Sequence, residues 1–119
     1  MSETFKWCID KTRLEICDKQ VFHINRYGTK EWYLNGERHR VDGPAIEYAN
    51  GGKRWYLNDI LHRENGPAVE FANGHKEWYL DGELHRVDGP AVEYANGTKE
   101  WYLNDKRYSE SDYWKELKK

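Results

Sequence analysis

Cysteine, proline and long apolar runs are scarce in this chain of 119 residues, which contains two cysteines and three prolines. Cys8 and Cys17 form no metal-binding or redox motif, so we interpret them as free thiols in a reducing cytoplasm. No apolar stretch is long enough for a secretory signal or a membrane span. We therefore expect a cytoplasmic protein with no membrane partner.

An excess of charge of either sign is also lacking, because 19 lysines and arginines stand against 21 aspartates and glutamates. The formal net charge of −2 provides no overall attraction to nucleic acid or to anionic lipid. We therefore do not expect a nucleic-acid partner. Hydrophobic residues make up 38% of the chain and aromatic residues 15%, so aromatic rings must supply much of the buried surface.

What the chain has in abundance is one phrase that recurs every 23 residues. Trp-Tyr-Leu occurs four times, beginning at Trp32, Trp55, Trp78 and Trp101. Between these copies stand HRVDGPAIE, HRENGPAVE and HRVDGPAVE, which begin at positions 39, 62 and 85. A fixed period of this length is typical of stacked units that bury apolar surface against their neighbours. We therefore predict an array of repeats in the middle of the chain.

Two turn signals in each repeat predict its strands. The pairs after Trp-Tyr-Leu, at 35–36, 58–59, 81–82 and 104–105, suit two-residue type I′ turns. At the other end we favour a three-residue Ala-Asn-Gly loop, because it places Glu93 opposite Lys99 rather than opposite Glu100. The same register pairs two further glutamates with lysines, Glu47 with Lys53 and Glu70 with Lys76.

The register also assigns side chains to two faces of the sheet, because strand residues alternate. On one face the tryptophans fall opposite Ala45, Ala68 and Ala91, and we expect this face to be core. Tyrosines populate the other face, and tyrosine and arginine are enriched at binding hot spots. The candidate binding residues are therefore Tyr33, Arg38, Arg40, Tyr56, Arg63, Tyr79, Arg86 and Tyr102. Whether the tyrosines form an exposed binding surface or a second core layer stays open.

The same pairing predicts partners for two arginines, with Arg40 opposite Glu31 and Arg86 opposite Glu77. Arg54 is an exception, because it falls opposite Arg63. We have no explanation for this pair of like charges from the sequence.

The recurring His-Arg phrase is the one candidate for chemistry. Equivalent histidines are expected two strands apart, about 9.6 Å at a strand spacing of ~4.8 Å, whereas zinc ligands lie about 2.0 Å from the metal. One ion therefore cannot bridge His39, His62 and His85. The phrase also lacks the Gly-rich loop and DFG segment that accompany a kinase catalytic loop. We predict no catalytic residues, no metal and no cofactor, and hence a protein that is not an enzyme.

The two ends of the chain depart from the repeat. Apolar residues alternate within residues 1–20, which predicts an N-terminal capping hairpin, at Phe5, Trp7, Ile9, Leu14 and Ile16. Residues 109–119 predict a capping helix with Ser109 at its N-cap and Asp112 three residues later. Tyr113, Trp114 and Leu117 fall on one stripe of that helix. A single domain with four repeats at residues 21–108 is the predicted organisation.

The pattern WYLNGxxHR followed by DGPAxEYxNG resembles the MORN repeat over residues 21–108. It is closer to phage and bacterial repeats of the WYLNGxxHRxDGPA kind than to the eukaryotic consensus. It departs from the usual pattern in having alanines at 45, 68 and 91, where a second glycine is usual, and a shorter spacing between the two turn signals. The resemblance implies an all-β fold, an elongated antiparallel β-meander, and a binding or scaffolding role without catalytic residues.

Two functional hypotheses follow from the residues and the resemblance. The first is a non-enzymatic protein-binding module, and the resemblance implies a phage or bacterial factor that binds and sequesters or inhibits a host protein in the host cytoplasm. The alternative is a small-ligand sponge, in which tyrosine and arginine between repeats or subunits hold an anionic nucleotide. Open sheet edges would also permit homo-oligomers.

Overall fold

A computed structural model of the protein describes the backbone of residues 3–8 and 19–119 and the side chains from residue 20 onward. This part of the chain contains fifteen β-strands and one α-helix. The strands are β1 (Glu3–Cys8), β2 (Lys19–Ile24), β3 (Lys30–Leu34), β4 (Glu37–Arg38), β5 (Ile46–Glu47), β6 (Lys53–Arg54), β7 (Tyr56–Leu57), β8 (Ile60–Leu61), β9 (Val69–Glu70), β10 (Lys76–Glu77), β11 (Tyr79–Leu80), β12 (Glu83–Leu84), β13 (Val92–Glu93), β14 (Lys99–Leu103) and β15 (Lys106–Tyr108), and the helix is α1 (Glu110–Leu117).

One long antiparallel sheet runs through the molecule in the order β1-β2-β3-β5-β6-β9-β10-β13-β14-β15, with β4 beside β3. The hairpins β7–β8 and β11–β12 form two small sheets beside it. The molecule measures 53 × 35 × 17 Å, which is long and thin. The predicted all-β, elongated antiparallel meander is therefore confirmed. Within the described residues, no helix is long and apolar enough to cross a membrane.

The three-residue loops are confirmed by the register that they produce. Glu93 pairs with Lys99 as predicted, and the two equivalent glutamate–lysine pairs form in the preceding repeats. In the first of these loops the Tyr48 N–H donates to the Gly52 carbonyl at 2.8 Å, and Gly51 has a φ of 98°. A positive φ is readily adopted by glycine, which explains why each loop ends in Asn-Gly.

The two-residue turns are confirmed by their backbone angles. Asn58 and Asp59 have φ values of 50° and 68°, as a type I′ turn requires at both central positions. Asn35 and Gly36 follow the same pattern, with φ values of 52° and 85°. Asparagine, aspartate and glycine tolerate this conformation best, so the turn residues account for the hairpin geometry.

Each tryptophan of the two inner repeats lies between alanines on its neighbouring strands. The backbone N–H of Trp55 donates to the Ala68 carbonyl at 2.8 Å, and on the other side the backbone N–H of Ala45 donates to the Arg54 carbonyl at 2.8 Å. Ala45 and Ala68 are fully buried. A methyl group beside each indole leaves room for the ring against the backbone, which confirms the predicted pairing of large with small residues.

The hairpins of successive repeats are joined to one another by further hydrogen bonds. The backbone N–H of Asp59 donates to the Arg38 carbonyl at 2.8 Å, and the backbone N–H of Arg40 donates to the Tyr56 carbonyl at 3.1 Å. The Nδ1 atom of His39 accepts the Asn58 N–H at 3.0 Å. His62 and His85 accept equivalent N–H groups from the next turns. Each histidine is therefore hydrogen-bonded to the turn of the following repeat.

The two ends extend and cover this array. Strand β1 pairs with β2, Glu3 opposite Ile24 and Cys8 opposite Lys19. The partner of the first strand is therefore β2, which begins at Lys19 and extends beyond the predicted capping hairpin of residues 1–20. Ile9, Leu14 and Ile16 of that prediction lie outside the described residues. At the other end Ser109 Oγ accepts the Asp112 N–H at 3.2 Å, which confirms the predicted N-cap of α1.

Helix α1 packs on the last repeat through Tyr113, which is fully buried. Its ring centre lies 5.0 Å from that of Trp101, and its hydroxyl contacts the Gly89 N–H and donates to the Arg86 carbonyl. Trp114 also contacts Trp101 but stays partly exposed. The predicted helical cap therefore covers the last tryptophan.

Candidate functional site

The eight residues predicted to bind a partner do not lie on one face of the sheet. We call the side with Trp32, Trp55, Trp78 and Trp101 the tryptophan face and the opposite side the tyrosine face. The tyrosine face carries five of the predicted residues, namely Tyr33, Arg38, Tyr56, Tyr79 and Tyr102. The tryptophan face carries the other three, namely Arg40, Arg63 and Arg86. The prediction of a single surface built from all eight is therefore wrong.

On the tryptophan face each arginine covers an indole. The guanidinium carbon lies 3.8 Å from the ring centre of Trp32 for Arg40 and 3.9 Å from that of Trp78 for Arg86. Arg40 donates to the Pro44 carbonyl at 3.1 Å, and Arg86 has the equivalent bond. These guanidinium groups are thus already occupied, which leaves them little capacity to hold a ligand.

The predicted partners of these arginines are wrong. Arg40 binds Glu47 at 3.2 Å rather than Glu31. Arg86 binds Glu93 at 3.0 Å rather than Glu77. The reason is that β4 ends at residue 38, so alternation no longer dictates the side on which the following arginine lies.

The glycine of each repeat makes room for this arginine. A Cβ atom on Gly66 would stand 2.9 Å from the guanidinium carbon of Arg63, and Gly43 and Gly89 are equally close to their arginines. The histidine, arginine and glycine of the HRxDGPA phrase are therefore accounted for by local contacts. Among the described residues, no group of three histidine, cysteine, aspartate or glutamate side chains could hold a metal ion.

Grooves separate successive loops on the tryptophan face. One of about 570 Å³ is lined by Trp55, Leu57, His62 and the loops around residues 40–43 and 62–65. A groove with equivalent lining recurs one repeat later, around Trp78 and His85. Their polar groups are largely engaged, since the histidines hold turn N–H groups and the arginines hold glutamates.

The tyrosine face consists of three rows that run across the strands. The edge row, beside the three-residue loops, is Tyr48, Phe71 and Tyr94. The middle row alternates charged and aliphatic residues in the order Glu31, Ile46, Arg54, Val69, Glu77, Val92 and Glu100. The inner row, on the hairpin side, is Tyr33, Tyr56, Tyr79 and Tyr102. Ile46, Val69 and Val92 are buried.

The inner tyrosines are tied to the middle row by hydrogen bonds. Tyr79 donates its hydroxyl to Glu77 at 2.9 Å, and Tyr33 donates to Glu31 at 3.1 Å. Burial, followed by the hydrogen bond to Glu77, raises the pKa of Tyr79 well above its usual range. Burial and the nearby Glu31 raise the pKa of Tyr33 in the same direction. These hydroxyls are therefore held as protonated donors, and the inner row is partly structural.

The edge row is the more accessible of the two aromatic rows. Tyr48, Phe71 and Tyr94 are 38%, 42% and 38% exposed. None of these three residues is among the eight candidates predicted from the sequence. A usable signal was present, since alternation from Ile46 places Tyr48 on the same face.

Arg54 interrupts the middle row, where each of the other three repeats has a glutamate. Its Nε atom is buried without a hydrogen-bond partner. Within the part of the chain that the structure describes, its guanidinium forms no hydrogen bond or ion pair, and its ring contact is with Phe71 at 5.8 Å. Arg54 does not face Arg63 as the predicted pairing of like charges required, because Arg63 lies on the opposite face against Trp55 and Glu70.

Comparison of the chain with protein-family models, with curated proteins and with solved structures finds no match. The likeness to MORN repeats stays a prediction from the sequence motif.

Proposed function

We propose that this protein is a non-enzymatic module that binds another protein through the tyrosine face. The observation that supports the proposal is the edge row, in which Tyr48, Phe71 and Tyr94 remain 38–42% exposed at a regular spacing. Exposed aromatic side chains bordered by charged residues are typical of protein interaction sites. The inner tyrosines and the aliphatic middle row would form the floor of such an interface.

The tryptophan face offers less to a partner. Its arginines lie on indoles and bind glutamates, and its glutamates alternate with lysines along the cross-strand row from Lys30 to Lys99. Charges that are already paired contribute little new binding energy, because a partner must replace interactions that exist. A nucleotide sponge built on these arginines is disfavoured for the same reason, since Arg40, Arg63 and Arg86 would have to leave their partners.

A comparison of the two faces by substitution tests the proposal. Tyr48→Ser removes an edge-row ring that makes no hydrogen bond with the rest of the described chain, so the fold should be retained. Val87→Ser is the matched control, because Val87 is 57% exposed and belongs to the loop that lines the grooves of the tryptophan face. The partner is first isolated by cross-linking to the wild-type protein and is then purified for calorimetric titration.

We expect Tyr48→Ser to weaken binding by about 2 kcal/mol, as is usual for an aromatic hot spot, and Val87→Ser to leave it unchanged. The reverse outcome would move the binding site to the grooves of the tryptophan face. Recovery of a bound nucleotide from the purified protein, with no cross-linked protein, would favour the small-ligand alternative.

A further inference from the structure

We infer that Arg54 is the point at which the tyrosine face recognises a carboxylate of its protein partner. This inference rests on the proposed function and deepens it, because it gives the partner an acidic residue at one defined place. The second repeat differs from the others at two neighbouring positions, Gly52 and Arg54, and both differences favour this ligand.

The third repeat shows how the face holds a planar group. The His75 ring lies between two edge-row rings, with centres 4.9 Å from Phe71 and 4.9 Å from Tyr94. Its Nε2 atom lies 2.8 Å from a carboxylate oxygen of Glu77 in the middle row. A planar polar group between two edge rings, bonded to the charged residue beneath, is therefore an arrangement that this fold already contains.

The second repeat has the same two edge-row rings but no ring between them, and its middle-row residue is positively charged where the third repeat has the negative Glu77. Gly52 stands at the position of His75 and Arg54 at the position of Glu77, between Tyr48 and Phe71. Equivalent rings are two strands apart, about 9.6 Å at the usual strand spacing, which accommodates one planar group. The Tyr48 ring leans over the glycine, with Cδ2 3.4 Å from where a Cβ would stand. Because Tyr48 is exposed, it can turn aside when a ligand enters.

A carboxylate is the planar group that suits this place. Guanidinium and carboxylate form paired, charge-assisted hydrogen bonds, and these strengthen where water is excluded. Among the described residues Arg54 has no such partner, and leaving a partly buried charge unpaired is unfavourable. Glu31 and Glu77 have local donors, so neither pairs with Arg54.

The neighbouring carboxylates also discriminate between anions. Glu31 and Glu77 stand on either side of Arg54 in the middle row, two strands away in each direction. Their charge opposes a second negative charge on the ligand, because like charges at this distance still interact in a partly buried site. A singly charged carboxylate is therefore favoured over phosphate, which carries up to two charges. An acidic protein segment therefore suits this place better than a nucleotide does.

The direct test follows the Nε–Hε signal of Arg54 by nuclear magnetic resonance at low ionic strength. The probes are acetyl-Tyr-Glu-Ala-amide, its glutamine counterpart acetyl-Tyr-Gln-Ala-amide, and inorganic phosphate. We expect the glutamate peptide to shift the Arg54 signal saturably, with an affinity about tenfold or more above that of the glutamine peptide, given the usual value of a hydrogen bond to a charged group. Equal shifts by both peptides, or tighter binding of phosphate, would overturn the inference.

Arg54→Glu is the decisive variant, because it restores the residue found in the other three repeats and provides Tyr56 with the acceptor that Tyr33 and Tyr79 have. We expect it to fold with undiminished stability and to lose the response to the glutamate peptide. Arg54→Gln serves as a second variant that removes the charge without adding another. Retention of the response in either folded variant would also overturn the inference.

Titration of the purified partner separates this inference from the proposed function. If Arg54→Glu and Tyr48→Ser both weaken binding of the partner, and Arg54→Glu does so by about tenfold or more, both proposals are supported. If Tyr48→Ser weakens binding of the partner and Arg54→Glu does not, the tyrosine face binds the partner but the carboxylate inference fails. If neither variant has an effect, both fail.

Discussion

The guanidinium carbon of Arg63 lies 3.7 Å from the centre of the Trp55 indole. On its other side Gly66 stands so close that a Cβ there would be 2.9 Å away. The arginine is therefore held between an aromatic ring and a glycine backbone. The molecule is only 17 Å thick, and within the described residues no second layer of strands covers Trp55, so Arg63 covers this ring instead. The last tryptophan receives Tyr113 from the helix instead.

Replacement of Arg63 by lysine tests the contribution of the planar guanidinium. Arg63 donates to the Pro67 carbonyl at 3.0 Å and to Glu70 at 3.2 Å while lying on the indole. Lysine keeps the charge but lacks the flat fork that makes these contacts together. We expect Arg63→Lys to lower the free energy of unfolding by about 1–2 kcal/mol, measured by urea denaturation. Arg107→Lys is the control, since Arg107 is largely exposed, and an equal loss there would contradict the argument.

Gly66→Ala should destabilise the protein because the added methyl group collides with Arg63. We expect a loss of about 1–3 kcal/mol, the usual range for overpacking. A double-mutant cycle with Arg63→Ala gives the cause, since the alanine at 66 should cost much less once the guanidinium is gone. If the two effects simply add, the collision with Arg63 is not the reason for the glycine.

The cap at the C-terminus depends on one buried ring. Tyr113 is fully buried against Trp101, so Tyr113→Ala should cost roughly 3–5 kcal/mol, as large-to-small changes in a core do. Tyr113→Phe keeps the ring and loses the hydroxyl contacts to Gly89 and Arg86, and we expect about 1 kcal/mol. Trp114→Ala, on the partly exposed side of the helix, is the comparison and should cost less than Tyr113→Ala.

The regular part of this fold could be predicted from local sequence alone. Asn-Gly and Asn-Asp pairs specify two-residue turns, and the charge pattern Glu93, Lys99 and Glu100 selects the loop length at the opposite end. Register then follows, because one residue more or less would exchange the faces of the sheet. These are short-range constraints, so no information from distant residues was needed.

The assignment of the arginines failed because it extended strand alternation past the end of a strand. Arg40 follows β4, where its backbone N–H donates to the Tyr56 carbonyl of the next repeat, and its side chain contacts Trp32 and Glu47. Contacts across repeats could not be predicted either, since the hydrogen bond that the Asn58 N–H donates to His39 Nδ1 joins residues 19 apart in the chain. From the sequence, Arg54 could be recognised only as an exception to the charge pattern. Its place between Ile46 and Val69 in the middle row becomes clear only when the strands are paired.

Alkaline pH should destabilise the protein through its tyrosines. Burial and the bond to Glu77 raise the folded-state pKa of Tyr79 above the unfolded value of about 10. The stabilisation is therefore complete below pH ~10 and is lost as the pH rises further, because the unfolded chain then releases its proton first. In urea denaturation between pH 8 and 11, Tyr79→Phe should be less stable than wild type at pH 8 and should decline less steeply above pH ~10. Parallel declines would show that Tyr79 does not contribute to the pH dependence.

Deletion of residues 56–78 should leave a folded, shorter and less stable protein. The cut removes one 23-residue period and joins Trp55 to Tyr79, so that β6 meets β13 in the register that it now has with β9. Because units in such an array contact their neighbours only, the remaining repeats keep their interactions. The matched control removes residues 57–78, which leaves one extra residue and shifts the downstream strands to the wrong face. We expect cooperative thermal unfolding, followed by circular dichroism, in the first deletion and a large loss of structure in the second. Equal loss of folding in both would mean that the repeats are not independent units and that the stability of the sheet depends on the intact chain.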